Sequence, residues 1–325
     1  MIRCITMLSQ ILNSLTAVVI VMFMIAVGYL FGKLGYIRHE HKKLLTKLII
    51  GAGMPSLVVN TVFGKLDFSG LDKPWLLFFI PFATMMVSLA LSVLLAHFLS
   101  PDTKRKGGFI AMCTFSNSVF VGLPMNTGLF GDAAIPYVMA FYVVNTTLFW
   151  TIGNYMIGKS GEGGKSGGGF FKNIKKLVSP PLIALLISLP LAAMGVKLPE
   201  PVINLAGYMG NIVTPLALFY IGYALYEYGF KSMRLDKHMI AVIFARFIAA
   251  PAVTIILCRL FHFEGMAAGV LIIESAMPVM TQAVVVAGEH DADEAFVSGG
   301  MCVTTLGCFI VVPLLMLLMQ LMGII

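Results

Sequence analysis

Charge is what this chain has least of. Only 11% of its 325 residues are Asp, Glu, Lys or Arg, while 59% are hydrophobic and the mean hydropathy is +0.94. A soluble domain carries about 25% charged residues, so there are too few here to cover a water-facing surface. Cysteine is scarce and odd in number, at five, and Cys113, Cys258, Cys302 and Cys308 sit within apolar runs as small hydrophobes. That pattern excludes a disulfide framework and a zinc spacing. His39 and His41 lie two apart, unlike an i, i+4 pair of ligands on one helix face, so no metal site is expected. No nucleophile and base can be matched at membrane depth, which argues against an enzyme, and no cofactor is implied. The net charge of +7 arises in short loops without a dense patch or interleaved aromatics, so nucleic acid is not an expected partner.

What is present is a series of apolar runs. A membrane span needs roughly 20 such residues. Ten candidates occur, at 9–32, 43–63, 74–99, 107–130, 133–157, 177–195, 200–227, 236–261, 265–289 and 293–322. The chain therefore reads as an all-α integral membrane protein. The second run is the weakest, because Lys47, Asn60 and glycines interrupt it. The first run follows a single basic residue, Arg3, and has no small-x-small cleavage site before Gly32, so it is expected to be a span rather than a cleaved leader.

Orientation follows from the loops. Sixteen Lys and Arg residues lie after spans 1, 3, 5 and 7, against five on the opposite side. The excess predicts a multi-pass protein of the cytoplasmic membrane with both termini extracytoplasmic. The longest loop, SGEGGKSGGGFFKNIKK from Ser160 to Lys176, is a glycine linker running into a basic amphipathic patch. It divides the chain into a five-span unit at 1–157, a cytoplasmic linker at 158–176 and a second five-span unit at 177–325. Five is odd, so the second unit enters from the other side, which predicts an inverted repeat. A short echo agrees: VNTTLF (Val144 to Phe149) resembles CVTTLG (Cys302 to Gly307).

Two runs in matching positions carry polar side chains beside a proline: SNSVFVGLPMNTG (Ser116 to Gly128) and ESAMPVMTQA (Glu274 to Ala283). Broken backbone at membrane depth is tolerated only where it is buried in protein or lines a watery cavity. A matched pair of breaks marks the binding site of a secondary transporter. In the first, Pro124 predicts a kink or unwinding near Gly122 and Leu123, flanked by Asn117 and Asn126. In the second, Pro278 is followed by Thr281 and Gln282. A half-helix starting at each break would offer bare N–H groups and a positive dipole end to an anion, most simply a carboxylate. The competing reading is a pair of plain proline kinks, with Gln282 bonding between helices. Asn145 lies in the same half as the first break and is placed to face it.

Arg246 in span 8 and Glu274 in span 9 are the ionisable residues clearly inside spans. Two readings stay open: a mutual ion pair that braces the fold, or a Glu274 that carries a coupling proton. GNYMIGKS (Gly153 to Ser160) matches the phosphate-loop pattern, but it begins inside a span and runs into the glycine linker, so it cannot cradle a nucleotide.

SNSVFVGLPMNTGLFGDAAIPYVMAFYVVNTTLFW resembles the fourth and fifth spans of the auxin efflux carrier family. ARFIAAPAV (Ala245 to Val253) and ESAMPVMTQAVVVAGEHDADEAFVSGGMCVTTLGCFIVVPLL resemble its eighth to tenth. The likeness covers essentially the whole chain, and the short central loop is similar to the bacterial members. The resemblance implies ten spans in two inverted repeats, with spans 4 and 9 crossing at Pro124 and Pro278. It implies a dimerising scaffold of spans 1, 2, 6 and 7, and an elevator-like movement of the rest. It further implies organic anion substrates, indole-3-acetate in plants and malate, malonate or similar carboxylates in bacteria. The family's crossover asparagine matches Asn117, whereas Gln282 stands where many bacterial members carry Asn. The expectation is thus a homodimeric secondary transporter of a small carboxylate, coupled to protons, sodium or the membrane potential. The alternative is an anion channel or facilitator with no coupling ion.

Overall fold

A computed structural model describes residues 19–64, 74–161 and 180–325. The N-terminal part of the first expected span, the loop with Lys65 and Lys73, and most of the glycine-rich linker lie outside the described residues.

Among the described residues the regular elements are all helices, and no strand is formed. In chain order the helices are α1 (Val19–Lys33), α2 (His39–Gly64), α3 (Pro74–Leu99) and α4 (Thr103–Thr114), then α5 (Ser118–Phe130) and α6 (Asp132–Ser160). After the linker come α7 (Pro180–Ala193), α8 (Glu200–Tyr228) and α9 (Lys237–Leu260), then α10 (Gly265–Ser275), α11 (Thr281–Glu289) and α12 (Glu294–Leu321). Six of these, α2, α3, α6, α8, α9 and α12, are long and apolar enough to cross a membrane. A 12-residue helix such as α4 rises only about 18 Å, well short of the roughly 30 Å hydrocarbon core. The shortness of α4, α5, α10 and α11 is the mark of the two interrupted segments.

Polarity is inverted relative to a soluble protein. Large apolar side chains such as Phe23, Phe98, Ile256 and Leu321 stand exposed on the exterior, while Arg246, Glu274, Asn126 and Asn145 are buried. Such an exterior suits lipid, and polar groups in lipid must find partners inside the protein. The C-terminal half of α2 packs against α7 and α8. Helices α1 and α8 touch backbone to backbone, because Gly28 and Gly222 face Phe219 and Ile25 with no room for a Cβ. Helices α3, α4, α6, α9 and α12 pack around the interrupted segments, and the second half of α8 rests on α11 and α12.

Four helices contain a wide turn with i→i+5 bonding: Ile49–Gly53, Ser118–Gly122, Phe149–Gly153 and Ala245–Ala249. Turns of this kind open the helical ladder locally and cluster at functional sites. The phosphate-loop lookalike is consistent with its rejection: Gly153 ends one of these turns and Asn154–Ser160 is helical.

One end of the bundle gathers the ion pairs. Arg105 donates to Asp236 and to Asp293 at 2.8 Å each, and Lys104 reaches Asp291 at 3.1 Å. Lys42 of α2 lies 2.8 Å from Glu227 of α8 and 2.7 Å from Glu294 of α12, tying three helices together. Burial would raise the Asp236 carboxyl, but the Met239 N–H and Arg105 outweigh it and hold it below the usual carboxylate range.

Candidate functional site at the crossing of two interrupted helices

Pro278 ends α10. A proline disfavours helical backbone at the residue before it, and the helix stops at Ser275, leaving Ala276 to Met280 outside α10 and α11. In the other half α4 stops at Thr114 and α5 begins at Ser118, with Asn117 as its N-cap. The Asn117 side-chain oxygen accepts from the Phe120 N–H at 3.3 Å, satisfying one of the donors that a helix start leaves bare. The two non-helical segments cross. Ser116 and Val279 pair as an isolated antiparallel bridge. The Asn117 N–H donates to Pro278 O at 2.8 Å, and the Met280 N–H donates to Phe115 O at 3.3 Å.

Each extended segment is supported by the last long helix of its own half. Asn145 of α6 accepts from the Ser116 N–H at 3.2 Å and donates to Ser116 O at 2.8 Å, while Thr304 of α12 accepts from the Val279 N–H at 3.0 Å. These two residues occupy neighbouring positions of the VNTTLF and CVTTLG echo. Backbone groups that would otherwise be unpaired in a buried place are thereby satisfied.

Arg246 does not pair with Glu274. Its guanidinium donates to Thr114 O at 3.1 Å, to Ser275 O at 2.9 Å, and twice to Met277 O, at 3.1 and 2.7 Å. Thr114 ends α4 and Ser275 ends α10, so one cation covers the negative ends of two half-helices from opposite halves of the chain. The sequence expectation of a mutual brace is replaced by this arrangement. A planar guanidinium with five donors suits it, because it reaches three carbonyls without a carboxylate.

With the negative ends covered, the positive ends remain. Helices α5 and α11 both start at the crossing, and Asn117 Nδ2 donates to Thr281 Oγ1 at 2.7 Å, joining their first turns. The amides of Ser118, Val119, Thr281 and Gln282 belong to first turns, which have no intrahelical acceptor. The Ser116 hydroxyl beside them is buried without a partner.

Glu274 lies in the last turn of α10, fully buried. Asn126 Nδ2 donates to Glu274 Oε1 at 2.7 Å and to Gly122 O at 2.9 Å. A Cβ built on Gly122 would come within 2.6 Å of Glu274 Oε2, so glycine is what allows the carboxyl to sit there. Asn126 thus serves Glu274 rather than the α5 start. The Gln282 amide donates to the Met54 sulfur of α2 at 3.6 Å.

The expected position of the first break is corrected. A kink or unwinding is expected near Gly122 and Leu123, next to Pro124; a wide turn, Ser118–Gly122, does lie there, but the chain leaves helical backbone earlier, at Phe115 to Asn117, and Pro124 is an exposed residue in the turn that follows. A proline removes one N–H bond and crowds a carbonyl one turn back. The wide turn absorbs both effects, so the helix continues through Pro124.

The membrane transport protein family matches residues 13–316 of this chain. The chain belongs to the auxin efflux carrier family of membrane transport proteins. It is similar to an uncharacterized transporter of Methanocaldococcus jannaschii, 26% identical over 304 residues that cover 91% of this chain and 96% of that protein. A second uncharacterized transporter, from Methanothermobacter thermautotrophicus, is 26% identical over 309 residues, covering 93% of this chain and 97% of that one. The protein is therefore a multi-pass membrane transporter, and its family is one of membrane transporters rather than of enzymes. For this auxin efflux carrier family member, sequence reasoning missed two parts of the crossing. Ser116 was visible only as one polar residue in a quoted stretch, and Thr304 only as part of the echo.

Proposed function

We propose that this transporter is a secondary carrier that binds a small carboxylate, of the malate or malonate class, between the first turns of α5 and α11. The observation that carries the reading is the charge arrangement: Arg246 covers both negative helix ends, while both positive ends converge where Asn117 meets Thr281. A carboxylate offers acceptors to first-turn amides and to the unpartnered Ser116 hydroxyl, and it needs no full countercharge there. Asn145 and Pro278 shape the crossing rather than contact the solute. Gly122, Pro124, Asn126 and Gln282 act at its margins.

The same reading takes α4 with α5, and α10 with α11, as single interrupted spans. The helices then make ten spans in two inverted five-span units, 1–157 and 177–325, joined by the linker. Asn117, Thr281 and Pro278 are buried, so a solute reaches them only after helices move, which favours alternating access over a standing pore. In an elevator-like cycle α1, α2, α7 and α8 form a dimerising scaffold in the cytoplasmic membrane, both termini outside. The other helices then carry the crossing past it. The Lys42 to Glu294 pair joins the two groups.

Counterflow of radiolabelled malonate or malate in proteoliposomes tests the proposal. Saturable exchange, abolished by Asn117→Ala, is expected. Ion-like conductance without counterflow would instead establish the channel.

A further inference from the structure

We infer that Glu274 is a proton-binding site, and that its occupancy sets the charge of the crossing. Glu274 is fully buried, yet only Oε1 has a partner, the Asn126 amide; Oε2 has none. The Asn126 side-chain oxygen is likewise buried and unpartnered. Two bare acceptors on two touching side chains ask for a guest that brings a positive charge or a donor. A buried ionised carboxylate is stable only when paired and hydrogen-bonded, and no ion pair reaches Glu274 among the described residues. The charged group that acts on it is Arg246 of α9, which is spent on Thr114, Ser275 and Met277 carbonyls. From α5 the Asn126 amide donates to it, and Gly122 lies so close that a Cβ there would meet the carboxyl.

A proton fits this vacancy of partners better than a metal ion. Asn126 already holds Oε1 and Gly122 O through its amide hydrogens, which leaves too few oxygens to replace the shell of a cation. Proton uptake forms an O–H bond at Oε2, with hydronium as the donor and water as the product. Release to water reverses it. With Glu274 ionised, its charge offsets that of Arg246; with Glu274 protonated, the Arg246 charge stands alone beside the two positive helix ends. Proton and anion then bind cooperatively, each raising the other's affinity by the same factor. That coupling rests on the carboxylate site proposed above, whereas the protonation itself does not.

The test needs no transported solute. Infrared difference spectra are recorded on the full-length protein in lipid nanodiscs while pH is stepped across its folded range. A protonated-carboxyl C=O band is expected that is absent in Glu274→Gln, fades as pH rises, and shifts in Asn126→Leu, where its hydrogen bond is lost. The inference is overturned by no Glu274-dependent band at any pH, by a band that persists undiminished at the highest pH, or by one removed by sodium at constant pH. A malonate titration in parallel keeps the two readings apart. If the band behaves as expected and malonate does not bind, the carboxylate reading fails and the proton site stands. If malonate binds with an affinity independent of pH in the wild type, the coupling is overturned.

Discussion

The two interruptions do the same job by different means. In the first half, side chains hold the broken backbone: Asn117 caps the new helix and Asn145 pairs both backbone groups of Ser116. In the second half, Pro278 breaks the helix by its own ring, and support comes from Arg246 and a single Thr304 hydroxyl. The first break thus adds neutral amides of its own half to the bond from Arg246 to Thr114 O, while the second relies on that same cation and a covalent constraint. The lesson is that matching positions in a repeat need matching geometry, not matching residues.

The largest expected effect is at Arg246. Arg246→Met strands three buried carbonyls, and each such group costs about 1–3 kcal/mol, so the unfolding temperature in detergent is expected to collapse. Arg246→Lys recovers only part, since one ammonium cannot span the fork. A near-normal melting temperature in Arg246→Met would show that the second break does not depend on the cation. Next comes Asn145→Ala, expected to cost roughly 2–3 kcal/mol because two backbone bonds to Ser116 are lost. Thr304→Val, with one bond at stake, is expected to cost about 1 kcal/mol. Equal losses in chemical denaturation would erase the asymmetry between the halves.

Gly122→Ala probes the place where the halves touch. Its methyl would meet the Glu274 carboxyl, and overpacking of this kind costs about 1–3 kcal/mol. The expected result is lower stability that Glu274→Ala relieves in the double variant; additive losses would place Glu274 elsewhere. The smallest effect is at the ionic end. The Asp236 carboxyl is held low in the folded protein, so its contribution is present above the unfolded carboxylate range and is lost as pH falls through the folded value. Asp236→Asn keeps the cap but flattens the acid limb of the stability profile, by no more than roughly 1 kcal/mol for a half-buried pair that water still reaches.

Much of this was legible in the chain. Polar residues inside lipid-compatible runs pointed to the stretches that hold the interruptions, and six of the expected runs coincide with helices long and apolar enough to cross a membrane. Pro124 misled because a proline reads as a break, while the wide turn Ser118–Gly122 that accommodates it depends on packing. Arg246 and Glu274 looked like partners because a list of side chains contains no backbone carbonyls, and helix ends supply them only once helices end at the right depth. Gln282 reads as a ligand by its place after Pro278, and the approach of α2, which brings the Met54 sulfur within 3.6 Å of its amide, is not visible in the chain. Such distinctions turn on which helix lies next to which, and periodicity along one helix does not encode that.

The central claim, that two positive helix ends meet to hold a negative solute, is tested most directly by charge-selective binding. Malonate and its neutral diamide are titrated against wild-type protein and Asn117→Ala, with thermal stability as the readout, since a ligand that binds only the folded form raises it. The account predicts that malonate stabilises the wild type, that the diamide does not, and that Asn117→Ala loses the response while remaining folded. Equal stabilisation by the two compounds, or an undiminished malonate response in Asn117→Ala, would contradict it.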